Sequence, residues 1–367
     1  MKHLAIVLIS VFCSWSATAQ VRFGKYFHDN TLRILYTISG DSAHCHAVFN
    51  DWNVFDGWSG TRHNLNVSPL QSDMDIIMND NATGRTIYHN SYSTLFCEWQ
   101  LMQDNNPSGD FKESVRLPMP KRPATIYLIR NYHSGQKDTA LRLDVNPKQL
   151  PHPADISPKY QVVTLHAAKT RRSIGLVFLP EGYKADEMDK FLETAKMMTK
   201  GLFEYEPFAH HYKSINIQAV LAPSPDSGID IPNKNIKRNT LMDFSYGTFG
   251  IDRYIGTRNH WAISDIASNT DWNHAIILVN NKQRGGGGIY NFYSVFPEGA
   301  PRLLELFLHE FGHAIADLLD EYADPDNPAG QKEDSNRDCI MKDLHTHFYC
   351  NECKEIIEKV IRRNLGQ

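Results

Sequence analysis

Several features are scarce in this 367-residue chain. Positive charge is not in excess: 38 Lys and Arg against 42 Asp and Glu leave a net charge of −4, with no polybasic run. That balance argues against a nucleic-acid backbone or an anionic lipid surface as a partner. Long apolar runs are missing too. The first, Leu4 to Phe12, is far shorter than the roughly 20 residues that cross a bilayer, and no later stretch is apolar enough, so no integral membrane association is expected. Internal repeats and low-complexity tracts are absent, which excludes solenoids and propellers. Cysteine is sparse. After residue 19 only Cys45, Cys97, Cys339, Cys350 and Cys353 remain, an odd set that leaves at least one thiol free or bound otherwise.

What is present divides the chain. Lys2, a short apolar run and Ala17-Thr18-Ala19 form the pattern of an export signal over 1–19, cut after Ala19. The mature chain is then periplasmic, cell-surface or extracellular. From 20 to 146 the pattern is β. Leu32, Ile34, Tyr36 and Ile38 alternate with Arg33, Thr37 and Ser39, and short strands flank turns at Asn79-Asp80-Asn81 and His133-Ser134-Gly135. This predicts a β-sandwich. Pro147, Pro151, Pro153 and Pro158 break any helix or central strand and mark a linker over 147–160. The remainder, 161–367, reads as an α/β domain: an apolar strand at Ile174–Leu179, helical spacing from Met188 to Leu202, strands at 216–221 and 275–279, then a helix opened by Pro301. The fold class is α+β in two domains.

That last helix carries His309-Glu310-Phe311-Gly312-His313. Residues four apart share a helix face, so His309 and His313 can direct two imidazoles at one ion. Leu304, Leu308, Phe311, Ile315 and Leu318 bury the other faces, and polar side chains on so apolar a helix need a partner. Zinc is the expected cofactor, bound by neutral imidazole, and Glu310 is placed to take a proton from a water on it. A chance His-Glu-x-x-His is the competing reading in a chain with 17 histidines. A third ligand should follow. Asp317 is one turn further along the same helix, about 6 Å up the axis and too far to close a tetrahedron. Once the chain turns, Asp320 or Glu321 could swing back, with Asp320 favoured.

The run from His309 to Tyr322 resembles the signature of the IgA-peptidase family of zinc metallopeptidases, the igalysins, which are metzincin-like and mostly bacterial. Leu179-Pro-Glu-Gly-Tyr183 with its following helix resembles the opening of that family's catalytic domain. Cys339-Ile340-Met341 resembles its methionine turn, and Cys350-x-x-Cys353 follows, as is common there. The amino-terminal half resembles the domain that precedes the protease in Bacteroides-type members. The resemblance implies a metzincin-like catalytic domain, hydrolysis of peptide bonds in protein or glycoprotein substrates, and Met341 as an apolar floor under the metal. It also implies that the strand ahead of the active helix, here Gly287, Gly288, Ile289 and Tyr290, borders the cleft and pairs with extended substrate. One departure is Ala316, where the usual metzincin pattern has Gly; the third ligand is displaced by one position. Another is Asp343, where several metzincin groups have Tyr; Tyr322 is the nearest candidate oxyanion helper.

Weaker signals remain. Cys339, Cys350 and Cys353 suit either a disulfide involving Cys339 or a structural zinc completed by His345 or His347; in an exported protein the disulfide is preferred. Cys45 and Cys97 could pair. Asp324, Asp326 and Asn327 are candidates for a calcium site, although turns use the same residues. Trp52, Phe55 and Trp58 suit sugar stacking or, more commonly, sandwich packing. The rival from another class is a non-catalytic, zinc-containing surface or glycan-binding protein, which would have no use for Glu310.

Overall fold

The computed structural model describes residues 20–101, 110–153, 159–170, 172–322 and 338–367. The expected export signal, Pro158 of the expected linker and the Asp324/Asp326/Asn327 calcium candidate lie outside the described residues. In chain order the elements are α1 (Phe23–Tyr26), β1 (Phe27–Gly40), β2 (Cys45–Asp56), β3 (Met74–Asp80), β4 (Thr86–Tyr92), α2 (Leu95–Leu101), β5 (Phe111–Pro120), β6 (Ala124–Asn131), β7 (Lys137–Val145), β8 (Gln161–His166), β9 (Ile174–Glu181), α3 (Met188–Leu202), β10 (Ile215–Leu221), α4 (His260–Ala267), β11 (His274–Val279), β12 (Gly287–Ile289), β13 (Tyr293–Pro297), α5 (Leu303–Ala316) and α6 (Asn351–Leu365). The protein is mixed α/β, with most of its regular structure in sheets. None of its described helices is long and apolar enough to cross a membrane.

The amino-terminal half has two antiparallel sheets, ordered β2-β1-β5 and β4-β3-β6-β7. Leu32, Ile34 and Tyr36 from one and Met74, Ile76, Ile126 and Leu128 from the other fill a common core. The alternation along β1 marks one buried face, yet both faces are covered. Arg33 is 3% exposed, because its guanidinium reaches Asp265 on α4 of the other half at 2.5 Å. The helix α2 interrupts a half expected to be all strand; seven residues are too few for a helical period to stand out. Trp58 is buried edge-on to Tyr88 and donates through Nε1 to Thr61 O, and Trp52 packs on Phe49, so this aromatic cluster is packing.

The carboxy-terminal half is built on a six-stranded sheet ordered β12-β13-β11-β9-β10-β8. The strands β9, β10, β11 and β13 are parallel; β8 and β12 are antiparallel edges. Its central strands are apolar on both faces, as parallel strands buried on both sides must be. On β9, Ile174, Leu176 and Phe178 face a core shared with α3, α5 and α6, whereas Val177 and Leu179 face the core shared with the amino-terminal half. The two halves are further joined by polar contacts. Arg116 lies over the ring of Trp272, 3.5 Å from its centroid, and donates to Trp272 O and Asn273 O; Glu113 bonds the His260 ring.

The helix α5 departs from expectation at both ends. It begins at Leu303 and not at Pro301, because Arg302 adopts a left-handed conformation at φ 54° that starts the helix two residues later. It ends at Ala316. Asp317, at φ 53°, caps it by donating its N–H to the carbonyls of Gly312 and His313. Asp tolerates this conformation better than most residues, and so the chain turns without the glycine that the metzincin pattern has at Ala316.

Candidate metal centre

The active helix is buried almost all round, with Leu306 to Gly312 at 9% exposure or less. Phe307 stacks on Phe311, and Phe311 packs on Phe208, which fixes the rotation of the helix. The opposite face meets backbone. A Cβ on Gly288 would stand 2.6 Å from Glu310 O and 2.9 Å from His313 Cβ; one on Gly286 would stand 2.0 Å from Glu310 Oε1; one on Gly312 would stand 2.9 Å from Met341 Sδ. Glycine at these points is what lets β12 and the 339–341 segment close on the helix.

His309 Nδ1 donates to Ile340 O at 3.0 Å, and His313 Nδ1 donates to Leu318 O at 2.5 Å. A carbonyl can only accept, so each neutral ring carries its proton on Nδ1 and presents a bare Nε2. The two Nε2 atoms are 3.2 Å apart. Asp320 Oδ1 lies 3.1 Å from one and 3.3 Å from the other, and it is buried without a hydrogen-bond donor. Three lone-pair atoms converging in a buried place is a donor set for a cation. The imidazole carbonyl contacts are the outer bonds that hold metal-ligating histidines in one tautomer. Burial would raise the Asp320 carboxyl, but His313 and His309 hold it below the usual carboxylate range.

Glu310 sits beside this set and outside it. Burial raises its pKa, while His309 and His313 pull it down. The Tyr322 ring stacks on His309, 6.2 Å between centroids, and Met341 is fully buried beneath Gly312. Glu321 points elsewhere, toward Cys339, Cys350 and Cys353. These three cysteines, like Cys45 and Cys97, are unbonded to one another, so the preferred disulfide is not formed. His345 and His347, offered as partners of the thiols, are exposed and bond Asp343 and Glu305 instead. Gly287, Gly288 and Ile289, expected to border the cleft, form β12, an edge strand of the six-stranded sheet. Ile289 and Tyr290 are buried, and Tyr290 O accepts from Ser93 N of the amino-terminal half.

Some neighbours of the site were invisible in the sequence. Tyr254 Oη donates to the half-buried Glu98 carboxylate, which is raised well above its ordinary pKa by desolvation and by Asp73. Asp317, beside Ser72, is pushed up to about 7 by burial first and then by Asp73. Arg253 is close enough to act on both Glu310 and Tyr322. Glu98 and Asp73 lie more than 200 residues before the helix, and no local pattern could have linked them to it.

Two imidazoles and a carboxylate within ligand reach of one another, with a second carboxylate beside them, could serve a hydrolytic metal centre. Comparison with known families agrees. A model of the IgA Peptidase M64 family matches residues 163–335, and a model of the Peptidase M64 N-terminus matches 22–141. The chain belongs to the IgA peptidase M64 family and is a peptidase; the M64 peptidases are metallopeptidases and act on protein substrates. A search of curated proteins finds none that matches the chain.

Proposed function

We propose that the chain is an exported, zinc-dependent endopeptidase that hydrolyses peptide bonds of protein or glycoprotein substrates, with His309, His313 and Asp320 as the metal ligands and Glu310 as the base. One observation carries the reading. A tetrahedral ion with bonds of about 2.0–2.1 Å has ligand atoms about 3.3 Å apart, and the three separations here are 3.1, 3.2 and 3.3 Å. Three protein ligands leave a fourth position open, as a catalytic zinc requires.

When bound, zinc would act as a Lewis acid toward the scissile carbonyl and toward water. The rest belongs to the chain. Glu310 accepts a proton from the attacking water and passes it to the departing amine nitrogen. Its carboxylate lies against the backbone of Gly286, where no side chain intervenes. Tyr322, stacked on His309, is our candidate donor to the carbonyl oxygen. The same reading takes the amino-terminal sheets as a β-sandwich and the second half as a metzincin-like domain with Met341 as its floor. The apolar amino terminus supports export.

The test is incubation of the mature chain with complex peptide mixtures, with and without chelator. Cleavage that chelator abolishes and zinc restores is expected. Cleavage indifferent to chelator would overturn the zinc mechanism. Zinc retained with no cleavage and no binding of a hydroxamate peptide would support a closed, non-catalytic ion.

A further inference from the structure

The four buried side chains of Glu321, Cys339, Cys350 and Cys353 form a second cluster, beside the first and separate from it. We propose that it is a structural zinc site of three thiolates and one carboxylate. The distances suit it. Cys339 Sγ and Cys353 Sγ are 3.9 Å apart, and Glu321 Oε1 is 3.3 Å from Cys353 Sγ and 3.6 Å from Cys350 Sγ. A tetrahedral zinc with Zn–S near 2.3 Å and Zn–O near 2.0 Å requires about 3.8 Å between sulfurs and about 3.5 Å between sulfur and oxygen.

Backbone N–H groups face two of the sulfurs. Cys350 N donates to Cys339 Sγ at 3.2 Å, and Cys353 N donates to Cys350 Sγ at 3.5 Å. Cys350 is the N-cap of α6, so the positive end of a 15-residue helix faces the sulfurs. Glu321 is 8% exposed, and its Oε2 is buried without a donor. A carboxylate buried against three sulfurs, with no cation, would be strongly unfavourable. A divalent ion offsets that charge, and its binding releases the thiol protons to solvent. A disulfide would use two of the three sulfurs and leave Glu321 unexplained.

The site also has a task. It ties the segment that carries Asp320 to the 339–341 floor and to the start of α6. Glu321 N donates to Met341 O at 3.0 Å, and Ile340 O holds His309 Nδ1. The second ion thus fixes both sides of the first centre without touching substrate.

The experiment measures metal in the full mature chain purified without reductant or added metal. The wild type is expected to hold about two zinc ions per chain, and a His309→Ala/His313→Ala variant about one. X-ray absorption of that variant should show a shell of mostly sulfur near 2.3 Å. Glu321→Gln and Cys353→Ser should each lose the second zinc. Should those two variants fail to fold, the double histidine variant still decides the matter, because it leaves the thiol cluster untouched. A folded double variant without zinc, or non-reducing mass spectrometry that finds Cys339 linked to Cys350 or Cys353, would overturn the proposal. Failure of the peptidase reading would appear separately, as absent cleavage with the sulfur-bound zinc intact.

Discussion

Asp320 and Glu321 are consecutive residues whose carboxylates enter different clusters: Asp320 Oδ1 meets the two imidazoles, and Glu321 Oε1 meets Cys350 and Cys353. The two side chains therefore belong to different candidate sites. Asp320→Asn keeps the shape of the side chain and removes its charge. It should weaken zinc at the histidine site by more than about 100-fold, beyond what loss of an outer-shell partner costs, and leave sulfur-bound zinc in place. Competition with a graded series of chelators, read together with X-ray absorption, checks this. Loss of the sulfur shell in place of the nitrogen shell would reverse the assignment.

Glu310 makes no contribution to the ligand set, so Glu310→Gln should retain metal and fold. Hydrolysis should fall by about 10²–10⁴-fold, the usual worth of a positioned base. Single-turnover cleavage of a peptide substrate, with metal content measured on the same sample, is the readout. An unchanged rate would remove Glu310 from the mechanism.

Two glycines next to the helix should respond differently. At Gly288 an added Cβ meets backbone, Glu310 O at 2.6 Å, and backbone cannot yield cheaply. Gly288→Ala should cost about 1–3 kcal/mol in urea denaturation. At Gly286 the added Cβ meets the end of the Glu310 side chain, which can move. Gly286→Ala should fold nearly as well as the wild type but lose activity by about 10²-fold, because the base is displaced by roughly an ångström.

A buried imidazole gives a pH test. Burial, with help from Arg116, lowers His274 from 6.5 to about 3, and its Nδ1 has no partner. The unfolded chain takes up a proton below pH 6.5 that the folded chain refuses until about 3. Stability contributed by the neutral ring is therefore intact above 6.5 and is lost as pH falls through that window, at about 1.4 kcal/mol per unit. Denaturation at pH 7, 6 and 5 should show a steeper decline for wild type than for His274→Asn. Parallel curves would refute the assignment.

Legibility in the sequence followed the range of the interaction. His309 and His313 could be paired by spacing alone, since a helix sets their distance. Asp320 could be narrowed to two candidates but no further, because its position depends on the left-handed turn at Asp317, where no glycine signals the bend. The thiol cluster was legible as three cysteines, whereas its fourth member was sought among nearby histidines. The carboxylate is that of Glu321, next to Asp320 in the chain and 18 residues before Cys339, and only the tertiary fold brings it in. The β alternation of β1 indicated one buried face; the second is covered by α4, and a strand's sequence does not name what docks on it.

That doubly covered sheet bears on how the molecule can be divided. On β9 and β11 neighbouring residues belong to different cores, with Val177 and Ile277 on the side of the amino-terminal half and Leu176 and Ile276 on the side of the active helix. The family models meet near a boundary in sequence, but no such boundary exists through the packing. A gene fragment encoding only the peptidase half would leave a whole face of its central sheet in water. The amino-terminal half is thus less an accessory than the missing layer of the enzyme, and the smallest unit that can be moved between proteins is the pair.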